Sequence, residues 1–171
     1  MSGNQDPIGG VQVLAPAPFE DGRGRYIKAY REVDFDPSVG AETNYLQNPK
    51  AGTLRGLHWQ DATAPEAKLI RCVRGRCYHV AVDIREDSET YLQHTAVELS
   101  PENALALYVP PLFAHGMLTL ENETDVIYQV SAPYSPDACL GACYDDPALG
   151  IDWPRPVELV SDKDRQWALL G

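Results

Sequence analysis

Few side chains in this sequence combine reactive chemistry with positions that should face inward. The stretch GTLRGLHWQ (52–60) sets His58 between an arginine-glycine pair and a tryptophan. Strand alternation puts Leu54, Gly56, His58 and Gln60 on one side and Arg55, Leu57 and Trp59 on the other. KLIRCVRGRCYHVAVDI (68–84) adds Lys68 at the head of one alternating run, and Cys77, His79, Ala81 and Asp83 on one face of the next. PPLFAHGML brings His115, and VIYQV brings Tyr128 among apolar neighbours. An imidazole, an ammonium and a phenol are what proton transfer beside a carbonyl requires. The first removes an α-proton, the second steadies the oxygen, and the third returns a proton. If base and acid lie on opposite faces of the substrate, the carbon is inverted. Histidine suits the base role because its unperturbed pKa of about 6.5 leaves the neutral form populated at pH 7. Each group also has a plainer reading: a hydrogen-bonded core histidine, a lysine reaching solvent, a buried tyrosine with a satisfied hydroxyl. Three histidines and a carboxylate can hold a divalent ion. However, the chain lacks an H-x-H pair with a following glutamate, so the spacing favours proton chemistry over a metal site.

The elements that must position these groups are short strands. Alternating runs recur at 68–84, 91–99, 104–110, 115–120 and 125–131, with turns at SPEN (100–103) and YSPD (134–137). The run at 68–84 reads as a hairpin with Gly75 at its tip, across which two cysteines could meet. Only SDKDRQWALL (161–170) reads as a helix, with Ser161 as N-cap and Ser161-x-x-Asp164 as a capping box. With 14 prolines and 13 glycines, the pattern predicts an all-β double-stranded β-helix, a jelly-roll or cupin-like barrel with a short C-terminal helix.

A length of 171 residues fits one domain, expected over 11–171, behind a flexible N-terminus at 1–10. The net charge of −11 speaks against nucleic acid or an anionic membrane surface as partners. A local arginine cluster can still hold a small anion. No apolar run approaches the ~20 residues that span a bilayer. MSGNQDPIGG has neither the basic start nor the apolar core of an export signal. The four cysteines are accordingly expected to be free thiols in the cytoplasm.

Taken in order, DGRGRY (21–26), GTLRGLHWQ (52–60), KLIRCVRG (68–75), VAVDIREDSETY (80–91), LSPEN (99–103), VPPLFAHGMLTL (109–120), YDDPALGIDWP (144–154) and VSDKD (160–164) resemble the dTDP-4-dehydrorhamnose 3,5-epimerases. These enzymes act on nucleotide-linked 4-keto-6-deoxy sugars. The resemblance implies a homodimer of cupin-type barrels that needs neither metal nor cofactor and inverts C3 and C5. It assigns His58 as the base, Asp164 as its orienting carboxylate, Lys68 to the enolate oxygen and Tyr128 as the acid. It places His115, Gln60, His79 and Tyr134 around the sugar, and Arg23 and Arg55 at the diphosphate, with Arg71 a further candidate. Asp164 is thus claimed by both a helix cap and a histidine. The chain departs from the family where His79 replaces the usual aspartate, Trp59 replaces phenylalanine or tyrosine, and APYS (132–135) keeps only Tyr134 of a tyrosine pair. A mono-epimerase on a related nucleotide sugar would use the same residues. A metal-dependent cupin and a non-catalytic sugar-nucleotide binding protein are the readings outside the class.

Overall fold

The computed structural model describes residues 8–31 and 37–171. Twelve strands and one short helix are found among them. One sheet has the order β1 (Gln12–Leu14), β9 (Ala106–Val109), β6 (Lys68–Arg74), β11 (Thr124–Val130), β4 (Glu42–Asn48). The other runs β12 (Cys139–Gly141), β5 (Leu54–Gln60), β10 (Phe113–Thr119), β7 (Cys77–Asp83), β8 (His94–Leu99). All of these pairings are antiparallel, and the crossed order is that of a jelly-roll, as the strand pattern predicts. A separate hairpin, β2 (Phe19–Asp21) with β3 (Gly24–Tyr26), stands on the surface.

Between the sheets, Ile70, Cys72, Cys77, Val97, Leu99, Leu107, Phe113, Met117 and Val126 form the main core. Each alternates with outward residues on its strand, which is why the strands read clearly from sequence. Ile70, Met117 and Val126 of this core also line the cavity that holds His58, Lys68 and Tyr128.

Three expectations change. The 68–84 segment is not a hairpin: β6 pairs with β9 and β11, whereas β7 pairs with β8 and β10. Gly75, at φ +70°, carries the chain over the barrel edge from one sheet to the other. Thr124 packs so closely there that a Cβ on Gly75 would meet its Oγ1 at 2.5 Å. Both strands have a face to bury, and the opposed sheet offers each a partner. Cys72 and Cys77 are free thiols, as are Cys139 and Cys143.

The helix α1 spans only Asp162–Arg165. Beyond it tertiary contacts win: Cys143 N–H donates to the Ala168 carbonyl at 3.0 Å, and Leu170 N–H to Asp146 Oδ2 at 2.6 Å. Of the N-terminal segment expected to be loose, residues 1–7 lie outside the described residues. Ile8 is anchored: its N–H donates to Thr95 Oγ1 at 3.0 Å, and its side chain packs on the core.

Candidate active site

The site begins with an irregularity in β5. His115 pairs with His58 and Met117 with Arg55, so two steps along β10 span three along β5. This bulge adds one residue to β5 and places Arg55 and His58 on the same face. Gly56 sits at the bulge with φ +111°, and a Cβ there would lie 2.5 Å from the His115 carbonyl oxygen. Simple alternation, which puts Arg55 opposite His58, therefore fails here. Arg55 instead lines the mouth of the cavity, its Nε donating to Asn48 Oδ1 at 2.9 Å.

That cavity, about 620 Å³, is the interior of the barrel. His58 lines it, and His58 Nε2 lies 2.6 Å from Asp164 Oδ1. The competing claims on Asp164 are met by different atoms. Its backbone N–H donates to the Ser161 hydroxyl at 3.1 Å and caps α1, which frees the carboxylate for His58. Gly56 N–H donates to Oδ2 at 3.2 Å, and Trp167 Nε1–H to Oδ1 at 3.4 Å. Burial pushes the Asp164 carboxyl up, but the hydrogen bonds from His58, the Gly56 amide and Ser161 hold it below the ordinary value. An ionised carboxylate can only accept, so the His58 proton resides on Nε2 and Nδ1 carries the lone pair. Trp167 meets the imidazole edge to face, with centroids 6.3 Å apart. It packs on Gly141, where a Cβ would sit 2.2 Å from the indole.

The opposite sheet supplies the other two groups. Lys68 pairs with Val130 and Ile70 with Tyr128, so Lys68 and Tyr128 share the inner face of neighbouring strands. Lys68 does not reach for solvent: its ammonium is paired with the Glu66 carboxylate, and both side chains are largely buried in the cavity wall. Burial raises the Tyr128 phenol, and the nearby Glu66 charge raises it further. Tyr128 is therefore a protonated donor at neutral pH. Base and acid thus come from opposite walls.

His115 lines the cavity beside His58, and its Nε2 lies 2.9 Å from His79 Nδ1. His79 is fully buried, with Nε2 3.2 Å from Cys77 Sγ; both its ring nitrogens are engaged with protein. It holds His115 rather than offering a polar atom to a ligand. Gln60, also placed beside the sugar by the resemblance, is a brace: its amide donates to the carbonyls of Ala64 and Pro133. Pro133 leads into Tyr134, which lines the cavity and is exposed. Arg23 lies away from the cavity, on the surface hairpin, in a fork with the Asp21 carboxylate. Arg71 faces outside the barrel and donates to the carbonyls of Ala29 and Ala104. Glu66 and Trp167 were not among the sequence candidates. Glu66 had a usable signal, since it stands two residues before Lys68 and shares its face. Trp167 had none, because its place depends on the early end of α1.

A jelly-roll barrel whose interior sets a histidine–aspartate pair against a lysine and a tyrosine defines a cupin-type acid–base isomerase. The model of the dTDP-4-dehydrorhamnose 3,5-epimerase family matches residues 5–171, and the chain belongs to that family. The dTDP-4-dehydrorhamnose 3,5-epimerase of Sinorhizobium fredii is 41% identical over 162 residues, covering 92% of this chain and 83% of that one. The structure of the enzyme so named from Elizabethkingia anophelis superposes with a TM-score of 0.91 at 34% identity, covering 97% and 94% of the two chains. The dTDP-6-deoxy-D-glucose-3,5-epimerase of Legionella pneumophila, solved with dTDP-4-keto-L-rhamnose, gives a TM-score of 0.86 at 31% identity, covering 94% and 87%.

Proposed function

We propose that this protein inverts C3 and C5 of a dTDP-linked 4-keto-6-deoxyhexose. The observation that carries the reading is the opposition of His58–Asp164 on one wall to Lys68 and Tyr128 on the other. The C4 carbonyl acidifies the protons at C3 and C5. His58 Nδ1 takes one of them, and the C–H electron pair moves onto the carbonyl oxygen as an enolate. The Lys68 ammonium steadies that oxygen. The Tyr128 hydroxyl then protonates the same carbon from the opposite side, and solvent restores both residues. Arg55 at the mouth meets the diphosphate, for which a guanidinium fork is well shaped. His115 and Tyr134 border the sugar.

The proposal extends to a homodimer. Phe19 and Tyr26 pair across the β2–β3 hairpin and are 63% and 65% exposed, an aromatic surface suited to a second copy of this chain. Arg23, on the same hairpin, then has a route to the neighbour's cavity. Four unpaired cysteines are consistent with work in the reducing cytoplasm. The test is incubation with dTDP-4-keto-6-deoxyglucose in D₂O, followed by mass spectrometry and proton NMR. Two enzyme-dependent deuterons, at C3 and C5, are expected. A single one makes the protein a mono-epimerase, and none removes the assignment.

A further inference from the structure

From the cavity lining into the core, His115, His79 and Cys77 form a row in which no proton is moved by the reaction above. Cys77 and His79 share the inner face of β7, and the register of β10 sets Met117 opposite His79 and His115 opposite Ala81. His115 is thus the diagonal neighbour of His79. The two rings lie nearly parallel, 15° apart in plane, with centroids 5.2 Å apart. Their facing nitrogens, His79 Nδ1 and His115 Nε2, are 2.9 Å apart, so one of them must carry a proton and the other must accept it.

Which one does follows from the far end of the row. Burial pushes His79 down to about 3, and at neutral pH its ring has a single proton. Its Nε2 faces Cys77 Sγ at 3.2 Å. A thiol sulfur is a poor acceptor, whereas an imidazole lone pair is a good one. The other acceptors near this thiol are weaker: the Leu99 carbonyl is farther away at 3.8 Å, and the Cys72 sulfur is itself a poor acceptor whose own S–H is directed at the Arg74 and Gly75 carbonyls. The S–H therefore donates to Nε2, the His79 proton stands on Nδ1, and His115 accepts it at Nε2. Burial first, and then the cost of placing a charge beside His79, Lys68 and His58, hold His115 well below the ordinary histidine value. These neighbours come from β7, β6 and β5, and none is an anion that would favour an imidazolium. The neutral His115 ring consequently carries its proton on Nδ1.

We infer that Cys77 and His79 are positioning residues that fix His115 as a neutral Nδ1–H donor to an oxygen of the bound sugar; the ligand's identity rests on the function proposed above. Held this way His115 takes no proton and gives none up, which leaves acid–base work to His58 and Tyr128. A carboxylate at position 79 would do the reverse, because it only accepts and would draw the His115 proton to Nε2.

Long-range ¹H–¹⁵N NMR of the uniformly labelled, ligand-free protein reads the tautomers directly, and four histidines make the spectrum assignable with His79→Gln and His115→Gln. Across pH 5–8, where an unperturbed histidine changes charge, His79 and His115 should stay neutral with the proton on Nδ1. Cys77→Ser, which keeps a donor, should preserve both tautomers, and Cys77→Ala should leave His79 a mixture. In His79→Asp the His115 proton should move to Nε2. Should that variant fail to fold, wild type and Cys77→Ser still decide the matter. A wild-type His115 that is cationic at pH 7, or protonated on Nε2, overturns the inference. No substrate enters these spectra, so their outcome is independent of whether the sugar has been correctly named.

Discussion

The two walls of the cavity reach order by different routes. On the histidine wall, ring nitrogens are bound by partners of their own: Asp164 for His58, and His79 for His115. Those partners arrive from a distant helix and a neighbouring strand, and the wall rests on a bulge in β5. The opposite wall is regular sheet. Lys68 and Tyr128 stand in plain register on β6 and β11, and Glu66 from the same segment adds a charge partner. A base must present one defined lone pair, so its ring needs a second anchor. An ammonium or a phenol needs only a direction and a charge state, which strand register and one carboxylate provide.

Replacing the base should separate the walls most sharply. His58→Ala should cost on the order of 10²–10⁴ in kcat and stop exchange at both carbons, with the folded state intact by circular dichroism. A near-normal rate would end the base assignment. Lys68→Ala removes the group facing the enolate and should cost about 3–4 kcal/mol of transition-state stabilisation in kcat/KM. Tyr128→Phe should cut inversion while washout of substrate deuterium continues, since the histidine wall is untouched. If washout and inversion fall together, the division of labour is wrong.

Smaller effects concern the supports. Gly141→Ala would drive Trp167 from its seat beside His58 and should cost about 1–3 kcal/mol of stability in denaturant titration. Removing the Glu66 charge acts on the other wall: Glu66→Gln should move the basic limb of the kcat/KM profile to lower pH, because Glu66 helps keep the Tyr128 phenol protonated. An unmoved limb would leave Glu66 a purely structural partner of Lys68. The last effect is the pH dependence of stability. His79 is neutral when folded down to about 3, whereas in the unfolded chain it takes up a proton near 6.5. Its contribution is present above about 6.5 and is lost as pH falls toward 3, so Tm should decline through that window. The decline should be shallower in His79→Met.

The same contrast explains what could be read from the sequence. Lys68, Tyr128 and the strand pattern were legible because regular alternation survives in β6 and β11. The placement of Arg55 was not, since a one-residue bulge reverses the face of everything before it. The 68–84 hairpin failed for a related reason: local turn signals give the reversal but not the sheet to which the returning strand belongs. The dual claim on Asp164 could be resolved only in three dimensions, where its amide serves the helix and its carboxylate the histidine. The role of His79 lay beyond alternation, which places it on the inner face without revealing that both ring nitrogens are spoken for.

The central claim is that the sugar is held between the walls, with His58 and Tyr128 on opposite faces of one ring. The most direct test is a crystal structure with dTDP-glucose, which lacks the ketone and cannot react. His58 Nδ1 and the Tyr128 hydroxyl should lie on opposite faces of the hexose, with Lys68 reaching its C4 oxygen and Arg55 its diphosphate. Finding His58 and Tyr128 on the same face of the ring, or the hexose outside the barrel, would contradict it.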